Sequence, residues 1–128
     1  MMLARREFVG SAAAVLLVQG CATTMEELDK TEALYGLIGQ IKAQPGKRDE
    51  LIGYLLAGTG KMPGNLAYLI AKDAGDADAI WITEVWRDQA AHQASLDLPA
   101  VQAAIAKARP ILAGFGTRVE TIPVWSAQ

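Results

Sequence analysis

Ala79-Ile80-Trp81-Ile82-Thr83-Glu84-Val85-Trp86-Arg87 decides how the rest of the chain is read. Four β-branched and two aromatic residues in nine positions favour an extended strand. Alternate side chains of a strand point to opposite faces, so Ile80, Ile82, Glu84 and Trp86 share one face and Trp81, Thr83 and Val85 the other. Both faces are largely apolar, and both therefore need cover. The spacing does not say which face meets the protein's own helices. Glu84 stands out as a carboxylate on an otherwise apolar face.

Working outward towards the C-terminus, Asp88 is placed to N-cap a helix holding Ala90, Ala91, His92 and Ala94. Leu98-Pro99 interrupts that helix, and Pro99 suits the first turn of another, in which Val101, Ala104, Ile105 and Ala108 share a face. Pro110 ends or bends it. Gly114 and Gly116 read as a turn, followed by an alternating last strand over 117–125. Towards the N-terminus, 72–79 is a polar hairpin loop with three Asp, and 65–71 (NLAYLIA) is a strand. Gly58, Gly60, Pro63 and Gly64 separate that strand from a helix over 47–57, striped by Leu51, Tyr54 and Leu55. Before it, Pro45-Gly46 ends a first strand over 34–43. The order β-α-β-β-α-β is the split βαβ, ferredoxin-like arrangement of the α+β class, with helices on one face of a four-stranded antiparallel sheet. The other face carries aromatic residues with no third layer to cover it. Pairing of two sheets in a homodimer is the economical cover.

Composition sets outer limits. The chain has 128 residues, 52% hydrophobic and 20% charged, which suits a single folded domain. Its 12 basic residues are outnumbered by 14 acidic ones, so nothing favours binding to nucleic acid. One Cys and one His exclude an internal disulfide and any zinc site needing more than two such ligands. Gly58-Thr59-Gly60-Lys61 looks like the end of a phosphate loop, but Met62 stands where Ser or Thr is needed and Leu55 where the first Gly belongs. No dinucleotide fingerprint is present. The expected cofactor count is none.

Residues 1–20 read as a signal peptide, with Arg5-Arg6 leading an uncharged run from Phe8 to Val18 that is too short to span a bilayer. Arg5-Arg6-Glu7-Phe8-Val9 resembles the twin-arginine export motif. Val18-Gln19-Gly20-Cys21 resembles a lipobox, which makes Cys21 the lipidation site and the sole membrane contact. Residues 21–32 read as an acidic tether and 33–125 as the folded domain. These features place the protein on the periplasmic side of a bacterial envelope.

The string Met62-Pro63-Gly64-Asn65, then Glu84-Val85-Trp86 followed by an acidic cap and Ala91-His92, resembles the antibiotic biosynthesis monooxygenase (ABM) domain family, which includes quinol monooxygenases. The chain differs from the family's frequent Ser-Pro-His segment at Leu96-Asp97-Leu98-Pro99, and carries Leu69 where some members have Trp. The resemblance implies a dimeric ferredoxin-like α/β barrel whose pocket oxidises phenols or quinols with dioxygen, without metal or flavin. Other members cleave haem. A small aromatic substrate and dioxygen are the partners so implied. A non-catalytic, haem- or small-molecule-binding module of the envelope is the other reading.

Candidate site residues follow. Asn65 is an amide able to stabilise developing phenolate charge. His92 carries an imidazole, the side chain whose charge changes nearest neutrality. Trp86, Tyr68 and Trp81 are candidate substrate-binding walls. Each also has a plainer use: a turn amide for Asn65, a partly exposed helix position for His92, and packing for the aromatics. Glu84 is assigned to structural pairing with Arg87, Arg118 or backbone, although a raised pKa would suit it as a base.

Overall fold

The computed structural model describes residues 33–124. The signal segment, Cys21, the tether over 21–32 and the end of the last expected strand at Trp125 lie outside the described residues. Strands β1 (Tyr35–Ala43), β2 (Asn65–Lys72), β3 (Ala79–Trp86) and β4 (Leu112–Thr121) form one sheet in the order β2-β3-β1-β4. Every neighbouring pair is antiparallel. Helix α1 (Arg48–Gly58) joins β1 to β2, while α2 (Gln89–Ser95) and α3 (Pro99–Ala108) join β3 to β4. The ferredoxin-like α+β fold expected from the element order is therefore present.

Two Pro-Gly turns frame α1. In Gln44-Pro45-Gly46-Lys47 the Lys47 N–H donates to the Gln44 carbonyl at 2.9 Å, and Gly46 has φ of 77°. In Met62-Pro63-Gly64-Asn65 the equivalent bond is 3.0 Å and Gly64 has φ of 82°. A type II turn needs that left-handed backbone at its third residue, after a proline-favoured second one. Asp88 caps α2 as expected, its carboxylate accepting the Ala91 N–H at 2.8 Å. Pro99 opens α3, and Arg109–Ile111 tightens into a 3₁₀ turn around Pro110.

β4 departs from expectation. It begins at Leu112, not after a glycine turn, and Gly114 and Gly116 lie inside it. The register against β1 slips twice: Ala43 faces Leu112 while Lys42 faces Gly114, and Ile41 faces Phe115 while Gly39 faces Arg118. Each slip places an extra β4 residue, the arrangement of a bulge, and glycine inside a strand often marks one. A Cβ on Gly116 would also collide with the Gln40 side chain.

The register assigns the faces. Ile80 and Ile82 join Ala43, Leu51 and Ala108 in the buried core, with Ile41, Ile52, Leu55, Tyr68 and Ile70 packed around them. The face of β3 carrying Ile80, Ile82, Glu84 and Trp86 is thus the one beneath the helices, and Trp86 is fully buried. The opposite face presents a row across all four strands, Leu69, Thr83, Ile38 and Val119. Leu69 is 61% exposed and Val119 44%. Among the described residues no helix is long and apolar enough to cross a membrane.

Candidate functional site

On the helix-side face of the sheet, an open-sided cavity of about 190 Å³ lies over β1, β3 and β4. Its walls include Leu37, Ile41, Ile82 and Phe115, with Glu84 and Arg118 as the charged groups. Gly39 provides the floor. It lies in register between Ile82 on β3 and Arg118 on β4. A Cβ built there meets nothing closer than the Thr117 carbonyl at 3.8 Å. The absent side chain is therefore space given to the cavity. An enclosed apolar cavity of about 150 Å³ holds benzene, so this open-sided one has the volume to seat a single ring against its apolar wall.

Glu84 is the carboxylate on this wall. Its Oε1 accepts the Trp86 indole N–H at 3.1 Å. No other hydrogen bond from the described residues reaches its carboxylate. Burial pushes its pKa up, opposed by the indole hydrogen bond and by the charges of His92 and Arg118. Tyr68 faces Glu84 across the β2–β3 pair. Its phenol pKa is raised, first by burial and then by the Glu84 charge, so it stays protonated. On the far side, Tyr35 Oη donates to Glu120 at 3.0 Å, and Arg118 pairs with the same carboxylate at 3.6 Å.

The expected site residues divide into three groups. Trp86 and His92 come together on the helix side, where the His92 ring lies 5.4 Å from Trp86, edge to face, and 5.5 Å from Tyr35, while Tyr68 packs against the core on the same face. They adjoin the cavity rather than lining it. Asn65 sits at the start of β2, where its amide N–H₂ donates to the carbonyls of Ala67 at 3.1 Å and Val85 at 3.4 Å. Those two bonds bind the strand across the register slip between Asn65 and Ala67. Trp81 lies on the opposite face, where its indole donates to Asp73 at 2.7 Å and Gln40 donates to the same carboxylate at 3.1 Å. These bonds, the indole first, hold the Asp73 pKa below its usual value.

Residues that sequence reasoning did not place at the site are Gly39, Arg118 and, in a ligand-facing role, Glu84. The first had a readable signal, since glycine in a strand interior often marks close approach of a ligand or another backbone. Arg118 had none, because the β4 slips decide where it points. Among the described residues no cluster of acidic, His or Cys side chains could hold a metal ion.

Comparisons with known proteins agree with this fold. The family model for the antibiotic biosynthesis monooxygenases matches residues 34–107. A Chloroflexus aurantiacus protein classed with those monooxygenases is 51% identical, covers 75% of this chain and 98% of its own, and superimposes with a TM-score of 0.73. A Caulobacter crescentus protein of the same class, 20% identical, covers 74% of this chain and 93% of its own, with a TM-score of 0.66. A third, from Nitrosomonas europaea, is 15% identical, with 72% and 89% coverage and a TM-score of 0.62. These last two show likeness of fold alone. No curated protein sequence matches the chain significantly. With more than half its length matched by the family model and a half-identical relative of the same fold, the chain belongs to the antibiotic biosynthesis monooxygenase family.

Proposed function

We propose that the protein is a cofactor-independent monooxygenase that oxidises a single-ring hydroquinone with dioxygen. The observation carrying this reading is the ring-sized apolar cavity walled by Leu37, Ile41, Ile82 and Phe115, with a desolvated carboxylate set into it. Without flavin or metal, the electrons that reduce dioxygen come from the substrate itself. Hydroquinone plus dioxygen gives hydroxyquinone plus water. One oxygen atom enters the ring and the other leaves as water, with four electrons taken from the substrate. Electron-rich, readily deprotonated rings meet that demand. The protein's part is to hold the ring in register and to stabilise the phenolate as charge develops. Trp86 and Tyr68 buttress the pocket wall from behind, and His92, edge to face with Trp86, is the candidate to pass a proton outward.

The open sheet face supports a homodimer. Leu69, Ile38 and Val119 form an apolar row that a second copy would cover. We place the protein at the periplasmic side of the envelope, held there by lipid on Cys21. Replacing Cys21 by Ser should release it from the membrane fraction.

Oxygen uptake by the full chain with a panel of methyl- and methoxy-hydroquinones tests the activity. Uptake above the protein-free rate, saturable in the substrate, is expected. No uptake, together with a tightly held small molecule or a haem absorption band after haem titration, would favour the binding-module reading.

A further inference from the structure

The cavity has one polar anchor that faces an incoming ring without a full set of partners. Trp86 occupies Oε1 of Glu84, and Oε2 receives no hydrogen bond from the described residues. A carboxylate accepts at about four lone-pair sites, so Glu84, a residue of the cavity wall, keeps acceptor capacity that solvent or a ligand hydroxyl can use. The remaining walls near it are the side chains of Leu37 and Ile82 and the bare backbone at Gly39, none of which donates. Arg118 lines the same cavity from β4 but shares its charge with Glu120.

We propose that Glu84 is a further catalytic residue. Its free carboxylate oxygen accepts the hydroxyl of a single-ring phenol or hydroquinone in the resting complex, and then takes that proton to leave the phenolate. The O–H bond breaks with its electron pair kept on the ring oxygen, and the proton forms a new O–H bond to the Glu84 carboxylate. No oxidant takes part in this step. As a reaction step it rests on the monooxygenase reading; as a recognition contact it does not. The groups facing Glu84 are consistent with the role. Trp86 on its own strand and His92 on α2 support the ionised form, as does Arg118 on β4. Tyr68 on β2 stays protonated beside it. Glu120 lies in the same cross-strand row beyond Leu37, engaged with Tyr35 and Arg118. A base works best when its pKa is brought towards the operating pH, which desolvation does here.

The test compares phenol with anisole, which matches phenol except that its methyl ether has no proton to donate. Binding of each to the full chain in detergent is measured by calorimetry at about pH 8, well above the ordinary carboxylate range. The proposal predicts that phenol binds at least about tenfold more tightly than anisole, the scale of one charge-assisted hydrogen bond. Glu84→Gln keeps the volume and the acceptor for Trp86, and should shrink the gap below about threefold while leaving anisole affinity in place. Gly39→Val fills the floor and should weaken both ligands by about tenfold or more without changing the circular dichroism spectrum. Equal affinity for phenol and anisole in the unaltered protein overturns the assignment. So does a Glu84→Gln protein that keeps the full gap. If that variant fails to fold, the unaltered protein still decides the matter: the phenol preference must fade as pH falls through the Glu84 titration, and a pH-independent preference rejects the role. This comparison involves no dioxygen. Its failure therefore removes Glu84 from the site, while absence of oxygen uptake removes the monooxygenase reading.

Discussion

The two faces of β3 are built from alternate residues of one nine-residue stretch, yet they end in different environments. On one, Trp86 is fully buried, hydrogen-bonded to Glu84 and packed against His92 of α2. On the other, Trp81 stays partly exposed, tied at its rim to Asp73, in a sheet surface where Leu69 and Val119 are open. The difference teaches that apolar content alone does not mark a core. The helix side packs the chain's own core and carries an open-sided cavity lined by strand residues. The other side has no cover from the described residues. In the proposed reading, function and assembly divide between the two sides of one strand.

The largest effect that would break this contrast is on the helix side. Trp86→Ala removes the largest fully buried side chain and should cost about 3–5 kcal/mol, seen as a lowered denaturant midpoint. The same truncation at Trp81 should cost much less, because that ring is partly exposed. Comparable losses at both positions would erase the distinction. Next comes the open side. Leu69→Asp places a charge in the exposed row and should weaken self-association by about a hundredfold in sedimentation, a hot-spot-sized loss of about 2–3 kcal/mol. Each protomer should keep its secondary structure. Smaller again is Asp88→Ala, which deletes the cap that starts α2 on the helix side; a loss of about 1 kcal/mol is expected in equilibrium unfolding.

The smallest effect is a pH dependence. The Glu84 pKa is raised in the folded protein, so between its ordinary value near 4.5 and the raised one the folded state holds more protons than the unfolded state. Stability from this group is therefore present at the acid end of that window and is lost as pH rises through the folded-state pKa. Asp73 and Asp76, whose pKa values are lowered, act with the opposite sign and lose their contribution as pH falls below the ordinary aspartate range. Glu84→Gln should remove the loss on raising pH and leave the acid-side loss unchanged, read from thermal unfolding across mildly acidic buffers.

Much of the fold was legible because local and global signals agree. The Ile80–Trp86 alternation, the two Pro-Gly turns and the Asp88 cap each name their own structure, and all survive in the folded chain. The start of β4 was not legible, since glycines inside a bulged strand look the same in sequence as glycines in a turn. The site was harder to read. Parity singled out Glu84, but only the three-dimensional arrangement shows it on the cavity wall with one of its oxygens taken by Trp86. Asn65 looked like a free amide, whereas its N–H groups serve the β2 register slip. Trp81 and Trp86 were equivalent by composition and separable by parity, but assigning the helices to the Trp86 side required the packing of Leu51 and Ala108 onto that face.

The most direct test of the functional account is the fate of dioxygen. The full chain is incubated with methylhydroquinone under isotopically labelled dioxygen, and the product is analysed by mass spectrometry against a protein-free control. The account predicts one labelled oxygen atom in each hydroxyquinone formed, with one dioxygen consumed per ring and the second labelled atom in water. Consumption no faster than the control, or a plain quinone without label, would contradict it.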